Sequence, residues 1–133
     1  MSTVTELNFQ ELMNAVKGQL FPSEARELLP PLYSQDNNPD PQAMVKFFTP
    51  WSNWTWYATE GSYVNEDGVC DDENGNYITE DKAHDYMFFG LVDGFEKELG
   101  YFSLRELFEA NGPFGLKIER DIHWKPKPLS ELR

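Results

Sequence analysis

Apolar positions along the chain change period part-way through, and each period predicts its own kind of element. Between Thr5 and Gly18, the residues Leu7, Leu12, Met13 and Val16 fall on one helical face, and Gly18 supplies a stop. A second short helix follows Pro22 and Ser23, running from Glu24 to Leu29. Pro30-Pro31 ends it, because proline has no N–H to donate and disfavours helix in the residue before it. Asp36 to Pro41 is a turn-rich connector. From Ala43 onward the pattern turns to strand. Met44 to Thr49 is β-rich, Pro50 to Asn53 turns the chain, and Asn53 to Glu60 alternates. Trp54, Trp56 and Ala58 lie on one side and Asn53, Thr55, Tyr57 and Thr59 on the other, the mark of a half-buried strand. These two strands are expected to pair antiparallel through the Pro50 turn. Tyr86 to Val92 is apolar on both faces and reads as the most buried strand; Asp93-Gly94 turns it, and Gly100-Tyr101-Phe102 re-enters the sheet. Ser103 followed by Glu106 is a capping box that opens a helix with Leu104, Leu107 and Phe108 inward, stopped at Asn111-Gly112-Pro113. Lys117 to Trp124 alternates weakly, as an edge strand shielded by its charges, and Leu129 to Leu132 reads as a docked turn. The predicted fold is α+β, a small, mostly antiparallel sheet with helices packed on one face. Residues 1–20 form an N-terminal helical extension, and 21–133 a single domain with an acidic insertion at about 61–85.

Length and composition narrow the class. At 133 residues the chain is one ordinary domain, and 40% hydrophobic with 15% aromatic residues is too much core for a disordered segment. No run reaches the roughly 18 apolar residues of a membrane helix, and Met1 to Glu11 carries neither basic residues nor an apolar stretch of the signal-peptide kind. The single cysteine, Cys70, rules out an internal disulfide and fits a reducing cytoplasm, the expected location. With only His84 and His123 beside it, a thiolate- or imidazole-rich zinc site cannot be assembled within one chain, and no cofactor is expected.

The net charge of -12 is concentrated. Residues 60–81 hold eight acids and no base, two thirds of the total. Such a surface repels nucleic acid, whose binding rests on Lys and Arg, and attracts a basic protein partner or the nucleic-acid groove of one. Glu66, Asp67, Asp71, Asp72, Glu73, Glu80 and Asp81 are the candidate partner-binding residues. On a strand, alternate carboxylates stand about 6.6 Å apart, of the order of the phosphate spacing along one nucleic-acid strand, so the limiting case is a nucleic-acid mimic. The competing reading is that the acids keep an aromatic-rich domain soluble. Within the segment, Asn74-Gly75 is a favoured hairpin turn, predicting a projecting hairpin or an ordered loop.

Other chemistry is sparser. Trp54 and Trp56 suit either a stacking platform or the core, whereas Trp51 in the turn and Tyr57 on the opposite face are better placed to contact a ligand. Glu60, Asp93 and Glu98 fall at strand ends or turns where a carboxylate pair can serve hydrolysis, but Asp93-Gly94 is explained as turn chemistry and Glu60 as an exposed strand end. His123 beside Trp124, and His84 between Asp81 and Asp85, are single histidines with ordinary structural explanations. Asp72-Glu73-Asn74-Gly75 imitates a calcium loop, but the first ligand position would be Cys70 and the flanking helices are missing. Cys70 sits among carboxylates that disfavour its thiolate. No catalytic or metal-binding residue is assigned.

Several longer words carry a resemblance. Leu29-Pro30-Pro31-Leu32-Tyr33, Lys46-Phe47-Phe48-Thr49-Pro50-Trp51, Trp54-Thr55-Trp56-Tyr57-Ala58-Thr59-Glu60, Phe88-Phe89-Gly90-Leu91-Val92-Asp93-Gly94, Glu98-Leu99-Gly100-Tyr101-Phe102-Ser103-Leu104 and Glu119-Arg120-Asp121 occur in order. Together, over about residues 28–133, they resemble a family of short proteins known only as a domain of unknown function, carried on phages, plasmids and integrative elements. Residues 1–20 look like an addition to that pattern, and residues 61–85 look longer than its usual link. The resemblance implies a mobile-element setting, where proteins opposing host defences are common neighbours, and no activity. The combined expectation is a non-enzymatic acidic interaction protein with a basic partner, no direct nucleic-acid or membrane contact, and an oligomeric state left open. A small-ligand or peptide-binding domain using the aromatic face is the alternative, and a carboxylate-dependent hydrolase a third.

Overall fold

Consecutive hairpins set the strand order in the computed structural model, which describes residues 6–133. Strands β2 (Val45–Phe48), β3 (Thr55–Val64), β4 (Asp85–Asp93) and β5 (Lys97–Ser103) pair antiparallel one after another, and β6 (Glu119–Arg120) adds to the free side of β2. A separate two-stranded ladder joins β1 (Gln42–Ala43) to β7 (Lys127–Pro128). The Pro50 turn pairs Phe48 with Thr55 as expected, and the Thr49 hydroxyl accepts the Trp54 N–H at 3.2 Å. The Asp93-Gly94 turn pairs Asp93 with Lys97.

Helices lie on one face, as predicted. Helix α1 (Phe9–Val16) is shorter than the expected span, whose first residue, Thr5, lies outside the described residues. Its start is set by a capping box in which Asn8 accepts the Glu11 N–H at 2.9 Å and Glu11 accepts the Asn8 N–H at 3.0 Å. Helix α2 (Ser23–Arg26) is a single turn that stops short of Leu29, and α3 (Leu104–Glu109) begins where Ser103 Oγ accepts the Glu106 N–H at 3.1 Å. Phe9, Leu12, Met13 and Val16 of α1, Ala25 of α2, and Leu104 and Leu107 of α3 share one core with Val45, Phe47, Ala58, Tyr86, Phe88 and Phe102 of the sheet. Phe88 sits at its centre, with Phe21, Phe47, Tyr86 and Phe102 rings at 5.1 to 5.3 Å. The N-terminal helix thus packs in the same core as the sheet. Among the described residues no helix is long and apolar enough to cross a membrane.

The second face of the sheet is covered by irregular chain. One patch joins Leu32, Val64 and Cys70 to Met87 and Phe89; another joins Ala43, Leu91 and Leu129 to Tyr57 and Trp124. The Leu29–Asn38 segment is strapped across β3 by three bonds: Gly61 N–H to the Pro30 carbonyl at 3.0 Å, Leu32 N–H to Ser62 Oγ at 2.9 Å, and Gln35 N–H to Glu60 Oε2 at 2.7 Å. The predicted Lys117–Trp124 strand is cut to two residues because Trp124 is pulled over this face. Its indole N–H donates to the Ala43 carbonyl at 2.9 Å and its ring packs on Tyr57.

Strict alternation from Trp54, Trp56 and Ala58 would carry Glu60 onto the helix-covered face. A β-bulge between Ala58 and Glu60 prevents this by absorbing Thr59, whose hydroxyl donates to the Phe89 carbonyl at 3.0 Å. Glu60 then pairs with Phe89 on the second face and is only 3% exposed, which corrects the expectation of an exposed strand end. Its carboxylate is an anchor of the strap. Glu60→Ala is expected to cost about 2 kcal/mol, read as a lower urea midpoint at unchanged slope; an unaltered midpoint would remove the carboxylate from the strap.

Candidate functional site

The acidic insertion is an ordered annex to the sheet. β3 continues to Val64, and His84 returns by donating its N–H to the Val64 carbonyl at 2.8 Å, so the intervening residues leave and re-enter at one point. Two successive turns fill the excursion. In the first, Asn65 Oδ1 accepts the N–H groups of Asp67 and Val69, at 2.9 and 3.0 Å. In the second, Asp71 pairs with Tyr77 around Asn74-Gly75, where Gly75 takes a φ of +80° that a side chain would resist. The Ile78 N–H donates to the Cys70 carbonyl at 2.9 Å, and buried Cys70 pins the annex to Leu32 and Val64. Burial first, and the Asp71 carboxylate second, push the Cys70 thiol above its ordinary pKa, in line with a structural cysteine.

This framework separates the seven candidate acids into two groups. Asp72 is consumed by its own loop, accepting the N–H groups of Asn74 and Asn76 at 2.9 Å. Glu80 accepts from the Arg26 guanidinium and the Tyr63 hydroxyl, both at 3.2 Å. Asp81 accepts the Thr79 hydroxyl, which holds its carboxyl below the usual range. Glu66, Asp67, Asp71 and Glu73 are exposed, and their carboxylates have no hydrogen-bond or ion-pair partner among the described residues. They stand on successive turns and not along one strand, so the 6.6 Å repeat of a strand does not describe their spacing. The annex also exposes Val69 and Tyr77, the latter 64% exposed. Sequence reasoning passed over these two; the signal was an apolar residue directly following a turn in an otherwise polar run.

Beneath the annex runs a cleft of about 390 Å³, between α2 and the insertion, walled by Leu29, Pro31 and Ile78, with Arg26, Glu27, Tyr63 and Tyr86 among its polar groups. Burial raises the pKa of both tyrosines.

The aromatic candidates are not brought together. Half-buried Trp51 lies against the helix-side core, its ring over Gly112, where an added Cβ would come within 2.4 Å of it. Tyr57 lies on the other face, 5.4 Å from the Trp124 ring, and Lys46 Nζ lies 5.9 Å from its ring centre. Burial, then Asp93, raises its pKa. The hydrolytic candidates are dispersed as well. Register puts Glu98 with Val92 on the helix side, while Glu60, opposite Phe89, and Asp93 face the other way, four strand positions apart along β4. His84 and His123 are both exposed.

No curated protein and no solved structure matches the chain. A family profile matches residues 75–132, fewer than half of the chain. That span contains the Phe88–Gly94, Glu98–Leu104 and Glu119–Asp121 words but not the three words before Gly61. It also takes in Glu80 and Asp81 but leaves out Glu66, Asp67, Asp71, Asp72 and Glu73. From β4 to the C-terminal tail, the chain is therefore similar to a family described as a protein of unknown function (DUF2958).

Proposed function

We propose that this chain is a non-enzymatic interaction protein whose acidic annex docks on a basic partner. The observation that carries the reading is the construction of the annex. An acidic segment kept for solubility needs no fixed shape, whereas this one is held by a hairpin bridge, two side-chain-capped turns and a buried cysteine. Four carboxylates without a partner among the described residues, on the same annex as an exposed tyrosine, combine long-range attraction with an aromatic contact of the kind that dominates interfaces. The partner fits as a protein with a basic nucleic-acid groove. The resemblance to mobile-element proteins makes a host defence factor the natural target, and the acid spacing makes competition for the groove a matter of charge and not of backbone imitation.

Affinity capture tests this with two baits, the wild-type chain and a variant carrying Glu66→Gln, Asp67→Asn, Asp71→Asn and Glu73→Gln. The wild type is expected to retain basic nucleic-acid-binding proteins that rising salt or added duplex DNA releases, and the variant to lose them. Equal retention by both baits would refute the role of the annex. A small-ligand reading is favoured by the cleft under the annex, whose volume suits a small molecule. Under that reading Tyr63→Phe and Arg26→Gln abolish binding while the four neutralising substitutions leave it intact.

A further inference from the structure

At the end of β3 remote from the annex, two aromatic rings form a corner beside carboxylates that make no ion pair among the described residues. Trp54 immediately precedes β3 and Phe95 follows the Asp93-Gly94 turn; their ring centres are 5.4 Å apart and their planes meet at 81°. Gly94 makes the approach feasible, since a Cβ there would stand 2.4 Å from the Trp54 indole. Phe95 is 94% exposed, so its ring contributes almost nothing to the core.

The carboxylates belong to the same face. Trp56 pairs with Val92 and Val92 with Glu98, a row across three strands that puts Glu98 on the face carrying the indoles, with Val92 between. Trp54, Val92, Phe95, Glu96 and Glu98 line a cavity of about 280 Å³. The nearest cation in sequence, Lys97, points the other way and donates to the Leu132 carbonyl at 2.9 Å. Among the described residues neither Glu96 nor Glu98 forms an ion pair.

We propose that this corner binds a cationic side chain, the guanidinium or ammonium group of an arginine or lysine presented by a peptide segment of a basic protein. Ring faces carry the negative lobe of the aromatic quadrupole and attract cations, tryptophan most strongly, and two carboxylates at the rim add charge of the same sign. An anion is repelled here, and a neutral apolar group would leave both carboxylates unanswered. The inference rests on the reading of a basic partner but uses a different surface, about 30 Å from the annex along the ten-residue β3. The two therefore fail separately.

NMR titration of the intact chain tests it, with acetyl-Gly-Arg-Gly-amide, its lysine counterpart, the neutral isostere with citrulline, and tetramethylammonium chloride as probes. The arginine and lysine peptides are expected to shift the Trp54 indole N–H saturably, while the citrulline peptide leaves it in place. Phe95→Ala and Glu98→Gln are each expected to weaken binding about five- to tenfold, and Glu73→Gln, in the annex, to leave it unchanged. Because Phe95 projects into solvent, its removal keeps the fold, which the spectrum of the variant verifies directly. A citrulline peptide binding as well as arginine, an unmoved indole, or binding of tetramethylammonium without either peptide would overturn the proposal.

Discussion

Arg105→Met is expected to destabilise the fold by about 3–5 kcal/mol, seen as a lower urea midpoint at unchanged slope. Arg105 is 7% exposed, at the start of α3. Its guanidinium donates to the Leu7 and His84 carbonyls, each at 2.6 Å, tying the lead-in of α1 to that of β4. Nε lies 3.2 Å from a Glu6 carboxylate oxygen and 4.0 Å from one of Asp85, hydrogen-bonding to neither, so its attraction to them is purely electrostatic. Asp85 is buried in turn, its Oδ1 accepting the N–H groups of Tyr86 at 2.7 Å and Arg105 at 3.1 Å. Methionine fills the space of the arginine stem but strands a buried carboxylate and two carbonyls, the costly half of a broken pair. Adding Asp85→Asn keeps the acceptor and removes the charge, and is expected to recover about 1–2 kcal/mol. A loss under about 1 kcal/mol for Arg105→Met alone would mean that the three elements are held by packing and not by this guanidinium.

Gly90→Ala is expected to be worse tolerated still, with loss of at least about 3 kcal/mol or failure to fold. A Cβ at position 90 would lie 1.8 Å from the Tyr57 carbonyl oxygen and 2.8 Å from its carbon. Both obstacles are backbone, and β3 cannot withdraw because β2 and β4 hold it on either side. Gly100, directly across from Gly90 on β5, supplies the control. A Cβ there meets nothing within 4 Å, so Gly100→Ala is expected to stay within about 0.5 kcal/mol of wild type. Thermal unfolding of the two variants side by side settles the comparison, and similar midpoints would show that β3 and β4 part readily enough to admit a side chain at position 90.

Legibility in the sequence followed the range of the interactions. The Pro50 and Asp93-Gly94 turns, the Ser103 cap and the doubly apolar β4 depend on neighbours within a few residues, and each was readable. The strap over the second face was not, because Leu32 meets Ser62 and Gln35 meets Glu60 across 30 and 25 residues. The same distinction divides the candidate site. A dense acidic run is plain from counting, yet which acids stay free depends on Arg26 reaching Glu80 across 54 residues. Asp72 was within reach of local reasoning, since an Asp opening the run Asp-Glu-Asn-Gly-Asn is placed to cap the turn with its side chain. Phe95 carried a signal too, as an aromatic directly after a turn dipeptide, but its partner Trp54 did not.

Thr59 has the character of an inserted residue. Ala58 faces the helices and Glu60 the opposite side, the relation that immediate neighbours on a regular strand would have, so Thr59 is supernumerary to the alternation. A relative one residue shorter at this point could keep every side chain of the strand on its present side with no bulge at all. A relative carrying the same length without the bulge would have Glu60 and Ser62 among the phenylalanines, and Tyr63 outside. Length variation at this position is therefore neutral to the inside-outside code of the strand only in steps that the backbone can loop out. A gap at Thr59 in related sequences would mark a shared architecture, where a gap two residues later, at Gly61, would mark a different one.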